Sequence, residues 1–288
     1  MSNKKPLVID LFQCADEQEL IEIRLAENYE TISQFCIVES CFDQCGNPKP
    51  YNFELNFERY KPWIDKITYY KIEDLSPLRY SFDWSNEVYV RNCLSNCLKK
   101  YSEEKNIKLE SSTKLLFSDC DEIVNNQALI EALDLGRDLL SFTHLFNCYK
   151  LNYYAPARNW YGAILIDFDI LYEHNFSFQE LRKKKDHIYH FGNKNHPSWH
   201  FSGIGEDSFE INWNKWKTRI EPKEKIPEEL KEQYREFFNK CVFEDKYFFY
   251  SDQITRRDED LKLEILDKLL LPRYVRENDK FNHLLLSS

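Results

Sequence analysis

The sequence predicts an α/β fold in which a mostly parallel central sheet is flanked by helices and followed by a helical C-terminal region. Two observations lead to this prediction. Short apolar runs typical of strands alternate four times with segments of helical periodicity in the first half of the 288-residue chain. Hydrophobic residues make up 42% of the chain and aromatic residues 16%, which is typical of a globular domain with a large core.

The first half supplies the four strand–helix pairs. The predicted strands are the runs LVIDLFQC, QFCIVES, KITYYKI and TKLLFSD. The segments that follow them have apolar residues three or four positions apart, as Ile21, Leu25, Tyr29 and Ile32 show in the first helix. The last of these helices, NQALIEALDLG, ends at Gly136, a residue type that often closes a helix. Alternation of this kind favours right-handed βαβ units and therefore parallel strands.

The pattern changes after Leu139. Two longer strands, LLSFTHLFNCYKLNYY and AILIDFDILY, follow each other without a helix between them. A helix (FSFQELRKKK), two short strands (HIYHFG and SWHFSG) and a long helix (EELKEQYREFFNKCVFEDKYFF) complete the prediction. Because no stretch has the composition of a linker, residues 1–288 are expected to form a single domain.

Charge and cysteine content limit the classes of partner and the compartment. The net charge of −10 and the pI of about 5.3 do not favour nucleic acid or an anionic membrane as a partner. The N-terminal MSNKKPLVIDLF is too short in apolar residues for a signal peptide, and no run reaches the roughly 18 apolar residues of a membrane span. The nine cysteines are odd in number. We therefore expect a soluble, cytoplasmic protein with mainly free thiols and no membrane span.

An acidic motif follows the fourth predicted strand. In TKLLFSDCDEI the apolar run leads directly into Asp119, Asp121 and Glu122. Ligands of open α/β sheets bind beyond the carboxyl ends of the strands, where these residues fall. Alternation along an extended strand puts Asp119 and Asp121 on the same side, where they suit a hard divalent cation that also binds diphosphate oxygens. The alternative is an acidic turn that caps the next helix.

Two further Asp-x-Asp pairs occur in the chain. Asp167 and Asp169 lie within the apolar run AILIDFDIL, which predicts a strand with its carboxylates on one side. Asp258 and Asp260 follow two arginines in a polar segment, which is typical of a solvated helix face.

Seven segments occur in an order that resembles one known family. They are DLFQCADEQELIEIRLAENY, FCIVESCFDQCGNPKPYNF, WSNEVYVRN, LLFSDCDEI, NWYGA, SWHFSGIG and LPRYVRENDKF. The order is similar to glycosyltransferase family 17, the β-1,4-mannosyl-glycoprotein 4-β-N-acetylglucosaminyltransferase family. The resemblance implies a GT-A-like fold, a divalent metal (Mn²⁺ or Mg²⁺) and inverting transfer of N-acetylglucosamine from a UDP donor to a glycan acceptor. It also implies a nucleotide-sugar-binding half at 5–138 and an acceptor half with the C-terminal helices at 139–288.

The resemblance assigns site residues by position. Asp119 and Asp121 match the family's Asp-x-Asp, with Asp121 as direct metal ligand and Asp119 facing the ribose or bridging through water. His200 either completes the metal shell, contacts the diphosphate, or is a core histidine. The residues expected in the donor pocket are Glu39, Lys49, Arg91 and Trp199, with Trp160 as a second candidate for stacking on sugar or uracil. Arg91 can equally form a helical ion pair with Glu87, and the tryptophans can equally belong to the core.

Inverting transfer needs a general base near the acceptor hydroxyl. Asp207 and Glu206 in the segment GEDS are candidates, and Asp167 is a third. The alternative for GEDS is a solvated turn. The sequence predicts no membrane anchor of the kind that secretory family members carry, and SWHFSGIGEDSFEINW lacks their glycine before the tryptophan, so the resemblance does not specify the acceptor.

Two other functions fit parts of the pattern. A metal-dependent phosphohydrolase could use DCDE, although Asp10 on the first strand lacks the second aspartate that such enzymes carry. A non-catalytic carbohydrate-binding protein could retain the fold alone.

Overall fold

The computed structural model describes residues 6–73, 84–218, 227–248 and 261–286. The strands are β1 (Val8–Cys14), β2 (Gln34–Glu39), β3 (Ile67–Lys71), β4 (Lys114–Asp119), β5 (Glu122–Ile123), β6 (Leu139–Cys148), β7 (Tyr153–Asp167), β8 (His190–Phe191), β9 (Ser198–Ser202) and β10 (Glu264–Ile265). The α-helices are α1 (Gln18–Asn28), α2 (Asn52–Leu55), α3 (Phe57–Tyr60), α4 (Ser85–Asn92), α5 (Leu94–Glu104), α6 (Asn126–Asp134), α7 (Phe168–Glu173), α8 (Phe178–Lys184), α9 (Ser208–Thr218), α10 (Lys231–Phe243) and α11 (Arg273–Arg276). Short 3₁₀ helices cover Lys61–Lys66, Lys185–His187, Glu228–Leu230, Lys268–Leu270 and Asp279–Leu284.

The described strands form one mixed sheet, so the predicted α/β class is confirmed. Their order is β3-β2-β1-β4-β7-β6-β9-β5, with β8 paired to β6 and β10 paired to β7. The first four strands in this order are parallel, as strand–helix alternation predicts.

The second half of the sheet has both strand directions: β6 runs parallel to β8 and β9, but other pairs are antiparallel. There β7 runs antiparallel to β4, β6 and β10, and β5 runs antiparallel to β9. The four residues between β6 and β7 are too few for the crossover that parallel strands need, so these two strands form a hairpin.

Two predicted elements end earlier than expected. The run AILIDFDILY is a strand only to Asp167, after which Phe168 begins α7. Asp167 keeps extended dihedral angles at the N-terminal boundary of this helix, so Asp167 and Asp169 do not share one strand face. The long C-terminal helix ends at Phe243, shortly before Asp245, which adopts a positive φ of 54°.

The core follows the alternation of the parallel strands. Val8 and Phe12 of β1 pack with α1 on one face of the sheet, and Ile9 and Leu11 pack with α5 on the other. Aromatic residues of α9 and α10 belong to one apolar cluster with Phe146 of β6. No helix in the described residues has both the length and the apolar character needed to cross a bilayer.

The register of the parallel strands decides which residues meet at their carboxyl ends. Gln13 of β1 lies opposite Asp119 of β4, and Cys14 lies opposite Glu39 of β2. Glu39 and Asp119 therefore lie at the same edge of the sheet, on either side of β1.

Candidate active site

The turn that holds the predicted acidic motif joins two strands at this carboxyl edge. Asp119 is the last residue of β4, and Glu122 is the first residue of β5. Strand β5 pairs with β9, which places Glu122 opposite His200. The backbone N–H of Phe201 donates to the carbonyl oxygen of Asp121 over 2.8 Å. The fold thus brings the acidic turn and His200 together from segments almost 80 residues apart.

A buried arginine of α1 holds this turn. The guanidinium of Arg24 is 1% exposed and pairs with the fully buried carboxylate of Asp10. It also donates to the carbonyl oxygens of Asp119 (2.8 Å) and Glu122 (3.2 Å) and to the Ser118 hydroxyl (2.7 Å). Because both charges are buried, the pair is stable only while these hydrogen bonds remain in place. Arg24 therefore ties the turn to the sheet through its backbone.

Two arginines surround the first carboxylate of the motif. Asp119 accepts from Arg182 (2.6 Å) and Arg91 (3.1 Å). Arg182 also binds the buried carboxylate of Glu122 at 2.7 Å, and the Trp160 indole N–H donates to the same carboxylate at 2.7 Å. Burial acts to raise the pKa of Asp119, but Arg182 and Arg91 outweigh it and hold that pKa below its usual range. Asp119 is therefore ionised at neutral pH, with its charge largely neutralised.

The second carboxylate has different neighbours. The Oδ2 atom of Asp121 lies 3.5 Å from Nε2 of His200 and 3.5 Å from Nζ of Lys215. Burial acts to raise the pKa of Asp121, but the neighbouring His200 and Lys215 lower it far below the usual value. The His200 ring stacks on Trp160 with centroids 4.1 Å apart and an interplanar angle of 5°. Its Nδ1 atom is buried and has no hydrogen-bond partner among the described residues.

The donor atoms at Asp121 fit a metal ion that takes most of its ligands from a substrate. An ionised carboxylate oxygen and an imidazole nitrogen lie 3.5 Å apart, and both are atom types that would hold a divalent cation. In the parts of the chain that the structure describes, no group of three or more His, Cys, Asp or Glu side chains is arranged to hold a metal. Magnesium-type sites commonly use one or two protein ligands together with phosphate oxygens and water. The residues present fit such a site and not a complete protein cage.

A third carboxyl group acts on the same site. Glu17 follows β1, and its Oε2 atom accepts from the backbone N–H groups of Ala15 (2.9 Å) and Asp16 (3.1 Å). Burial, the adjacent Asp16 and the more distant Asp121 raise the pKa of Glu17 to about 7, against the opposing effects of these hydrogen bonds and of Lys215. Glu17 therefore titrates near neutral pH beside the acidic turn.

Glu39 and Lys49 lie at the same sheet edge but are bound to each other. The buried carboxylate of Glu39 accepts from Lys49 Nζ (3.0 Å), from the backbone N–H groups of Asn52 (2.6 Å) and Phe53 (3.1 Å), and from the Tyr69 hydroxyl (2.9 Å). These bonds satisfy the start of α2. The contacts seen at Glu39 are those of a residue that closes a loop, and a role in the donor pocket stays a prediction.

Trp199 does not face the acidic turn. Its side chain is fully buried, and its indole N–H donates to the carbonyl oxygen of Leu270 over 2.9 Å. Successive residues of a strand point to opposite faces, so Trp199 lies on the other side of β9 from His200. The expectation that Trp199 contacts the donor is not favoured by this position. Trp160, the alternative, is the tryptophan that lies in the site.

Asp207 and Glu206 lie at the start of α9 beside a cavity. Asp207 accepts from the Glu210 backbone N–H (3.0 Å) and pairs with Arg235 (3.3 Å). Burial acts to raise the pKa of Asp207, but these two contacts outweigh it and lower that pKa. The Glu206 carbonyl oxygen accepts from Lys150 over 3.1 Å. The cavity, of about 520 Å³, is lined by Tyr149, Lys150, Tyr153, Glu206, Asp207, Ser208, Phe209, Phe238, Asn239, Val242 and Leu286.

Asp167 lies at the opposite edge of the sheet from the acidic turn. It pairs in register with Lys114, the first residue of β4, and forms an ion pair with that lysine. Asp119 is at the other end of the same strand, about 17 Å away at 3.3 Å per residue. A base at Asp167 is not favoured by this placement. The last Asp-x-Asp pair, Asp258 and Asp260, lies outside the described residues.

Sequence patterns do not identify Arg24, Arg182 or Glu17 as part of this site. For Arg24 a signal exists, because the residue lies three positions after Ile21 on the apolar face of the first helix. Arg182 lies in the basic run LRKKK, which is typical of a solvated helix end. Gly162 has a clear role only in three dimensions, since a Cβ there would lie 3.0 Å from the Glu122 carboxyl carbon.

Comparisons with known proteins place this geometry in context. The family model described as Glycosyltransferase family 17 matches residues 1–286. A search of the curated proteins finds no match.

Similar solved structures include three transferase-type chains. An inositol-1-phosphate CTP transferase from T. maritima is 11% identical, covers 66% of this chain and 88% of its own, and has a TM-score of 0.36. Residues 1–349 of S. aureus TarS are 14% identical, with coverages of 88% and 76% and a TM-score of 0.38. The WbbM bifunctional glycosyltransferase in its apo form is 13% identical, with coverages of 66% and 38% and a TM-score of 0.34. With TM-scores below 0.5, these likenesses carry no conclusion about this chain.

Proposed function

The chain belongs to glycosyltransferase family 17, and from this premise we propose that it transfers N-acetylglucosamine from UDP to a glycan acceptor with inversion and with a divalent metal. Transfer of a glycosyl group follows from the family, as do a sugar-nucleotide donor and an acceptor as substrates. The mixed sheet flanked by helices is the GT-A-like fold that the family resemblance implies. The sugar, the nucleotide, the metal and the stereochemistry are the parts that this proposal adds.

The observation that carries the proposal is the unequal pairing of Asp119 and Asp121. Asp119 is paired with two arginines at 2.6 and 3.1 Å, whereas Lys215 and His200 approach Asp121 at the longer distance of 3.5 Å. We assign Asp121 and His200 to the metal and Asp119 to the ribose or to a bridging water. A bound Mn²⁺ or Mg²⁺ would neutralise the donor diphosphate and act as a Lewis acid for the departing UDP.

The chain's own residues then orient the donor. Arg182 connects Asp119 to Glu122, so the two ends of the acidic turn keep a fixed distance. Trp160 is held by its hydrogen bond to Glu122 and presents an indole beside His200. The His200 ring stacks on this indole and Lys185 Nζ lies 4.1 Å from its centroid, so Trp160 holds two side chains that face the donor. These contacts hold the donor in one orientation before reaction.

Asp207 and Glu206 stay our candidates for the general base. They line the cavity of about 520 Å³ that is large enough for a sugar residue of an acceptor. A low pKa keeps Asp207 ionised and able to accept a proton at neutral pH, while its pairing with Arg235 makes it a weak base. Asp167, at the opposite sheet edge, is not retained.

The proposal is tested by the binding of UDP with and without metal. We expect calorimetry to show that wild-type affinity for UDP falls at least about tenfold when Mn²⁺ is replaced by EDTA. Asp121→Asn should lose this metal dependence, and Asp167→Asn, which removes a carboxylate at the far sheet edge, should keep it. Melting temperatures of both variants show whether they are folded.

Product analysis separates the remaining alternatives. Release of UDP from UDP-N-acetylglucosamine, increased by a glycan acceptor, agrees with the proposal. Hydrolysis of simple phosphoesters would indicate a phosphohydrolase instead. Equal UDP affinity in Mn²⁺ and EDTA would contradict the metal site, and normal UDP–Mn²⁺ binding by Asp121→Asn would contradict its assignment.

A further inference from the structure

Two cations beside Trp160 form no ion pair in the part of the chain that the structure describes. Nζ of Lys185 is 4.1 Å from the Trp160 ring centroid, and the guanidinium carbon of Arg158 is 5.9 Å from it. Arg158 also lies 4.2 Å from the centroid of Phe146. Both side chains are half-buried. They therefore approach the same indole that Glu122 holds in the candidate active site.

The other cations of the site differ in this respect. Arg91, Arg182 and Lys215 each lie within 3.5 Å of a carboxylate of the acidic turn. Neither Lys185 nor Arg158 forms an ion pair within the described residues, and Nη1 of Arg158 is buried with no hydrogen-bond partner. A half-buried cation that lacks such a partner destabilises the folded protein. The presence of Lys185 and Arg158 at these positions therefore needs another explanation.

The neighbours of Lys185 indicate which kind of ligand would offset this destabilisation. Burial and the adjacent Arg182 lower the pKa of Lys185, while Glu122 and Asp119 act in the opposite direction. The Asp119 and Glu122 carboxylates are already bound by arginines and by Trp160. An added anion beside Trp160 would bind the free N–H groups of Lys185 and Arg158 by charge-assisted hydrogen bonds. Two separate cations beside one ring suit an anion with two charged groups.

We propose that Lys185 and Arg158 bind the diphosphate of the sugar-nucleotide donor directly, in addition to any metal at Asp121. This assignment rests on the proposed function and names two ligands of its substrate. Stacking on Trp160 and Phe146 keeps both cations at the site before the diphosphate arrives. In a protein of net charge −10, such a local pair of cations is what allows a diphosphate to bind.

The test uses inorganic pyrophosphate as the probe, with EDTA present so that no metal contributes. Calorimetry is carried out on the full chain and on Lys185→Gln, Arg158→Gln and the control Lys183→Gln. Lys183 is an exposed lysine two residues before Lys185, so its variant makes the same charge change outside the site. We expect wild type and Lys183→Gln to bind pyrophosphate, and each of the other two variants to bind it about tenfold more weakly.

Stability gives a second readout that a purely structural role would not produce. Lys185→Gln and Arg158→Gln remove unpaired, half-buried charges, so their melting temperatures should be equal to or above that of wild type. Lower affinity together with undiminished stability supports the proposal. Equal pyrophosphate affinity in all four proteins, absence of wild-type binding in EDTA, or equal affinity for phosphate and pyrophosphate would overturn it.

The two proposals can fail separately. If Lys185→Gln and Arg158→Gln weaken pyrophosphate binding while Asp121→Asn binds UDP–Mn²⁺ normally, the diphosphate ligands stand and the metal assignment is wrong. If only Asp121→Asn changes binding, the metal assignment stands and the diphosphate ligands are wrong.

Discussion

Asp119 and Asp121 are two residues apart, yet their environments give them different chemistry. Arg91 and Arg182 cover the first carboxylate, and a histidine and a lysine at 3.5 Å face the second. Like charges this close would normally oppose each other's ionisation. Here the cations from α4, α8 and α9 keep both carboxylates ionised, so the turn can act as a metal ligand at one position and as an anchor at the other.

Glu17 gives the site a dependence on pH. Its pKa of about 7 lies above the roughly 4.3 of an exposed glutamate, so the folded state favours the protonated form. Its contribution to stability is complete below about pH 4.3 and is lost as the pH rises through 7. Glu17→Gln cannot ionise, so its stability relative to wild type should rise by about 2 to 3 kcal/mol between pH 5 and pH 8.

Urea unfolding at the two pH values measures this difference. Glu30→Gln, at an exposed position in the turn after α1, is the control for the same chemical change at the surface. A difference between Glu17→Gln and wild type that stays constant or shrinks from pH 5 to pH 8 would contradict the expectation.

The extent to which single residues could be predicted from sequence follows from the range of their contacts. Asp119 and Asp121 were predictable because a local pattern, an apolar strand followed by carboxylates, places them at a sheet edge. Arg24 is 95 residues from Asp119, and Arg182 is 60 residues from Glu122. Local periodicity in the sequence carries no information on contacts over such distances. The cations that contact the acidic turn are therefore identified only in the folded structure.

At the scale of elements, α8 organises one side of the site. The Ser177 hydroxyl accepts from the Glu180 backbone N–H over 3.2 Å, and the Glu180 carboxylate accepts from the Ser177 backbone N–H over 2.8 Å, forming a capping box. The helix carries Arg182 and leads directly into Lys185. The start of a two-turn helix therefore fixes the position of two cations.

Removal of this cap should affect both stability and binding. Ser177→Ala is expected to cost about 1 kcal/mol in unfolding free energy, because an exposed N–H at the helix start loses its acceptor. UDP affinity should fall as well, because Arg182 and Lys185 lie on the loosened segment. Ser177→Asp keeps an acceptor at the cap and should restore both properties, as urea unfolding and calorimetry can show. Equal UDP affinity in the Ala and Asp variants would contradict this role of the helix.

Elements were predicted correctly where one period extended over several turns or strand residues. The parallel strands and α8 are such cases. The strand predicted after Gly162 was too long because β7 ends at Asp167 and helix α7 begins at Phe168, so the hydrophobic period changes between adjacent residues. The antiparallel pairs of β7 and β5 were not predicted for another reason: strand direction depends on connection length and pairing, which hydrophobicity does not encode.

For the whole molecule, the thiols give a simple test of the fold. No disulfide joins cysteines within the described residues, and all nine cysteines except Cys41 and Cys241 are buried. Burial raises the pKa of Cys14, Cys36, Cys120 and Cys148, and the thiolate is the reactive form.

We expect a thiol reagent such as Ellman's to react rapidly with at most two groups in the native protein. The same sample unfolded in guanidinium without reductant should give nine. A smaller number after unfolding would show a disulfide and contradict the prediction of free thiols.

The cytoplasmic location and the division at 138/139 into donor and acceptor halves stay predictions.

The hydrogen bonds from Arg24 to the backbone of the acidic turn affect how such a site can change during evolution. Its guanidinium binds carbonyl oxygens of residues 119 and 122, which every amino acid possesses. Replacement of the side chain at Asp119 or Glu122 therefore leaves these hydrogen bonds from Arg24 in place. The shape of the turn is encoded in α1 and β1, and its chemistry is encoded in the turn itself. Substitutions at these positions can therefore change which ligand or substrate is bound while the conformation of the turn is kept.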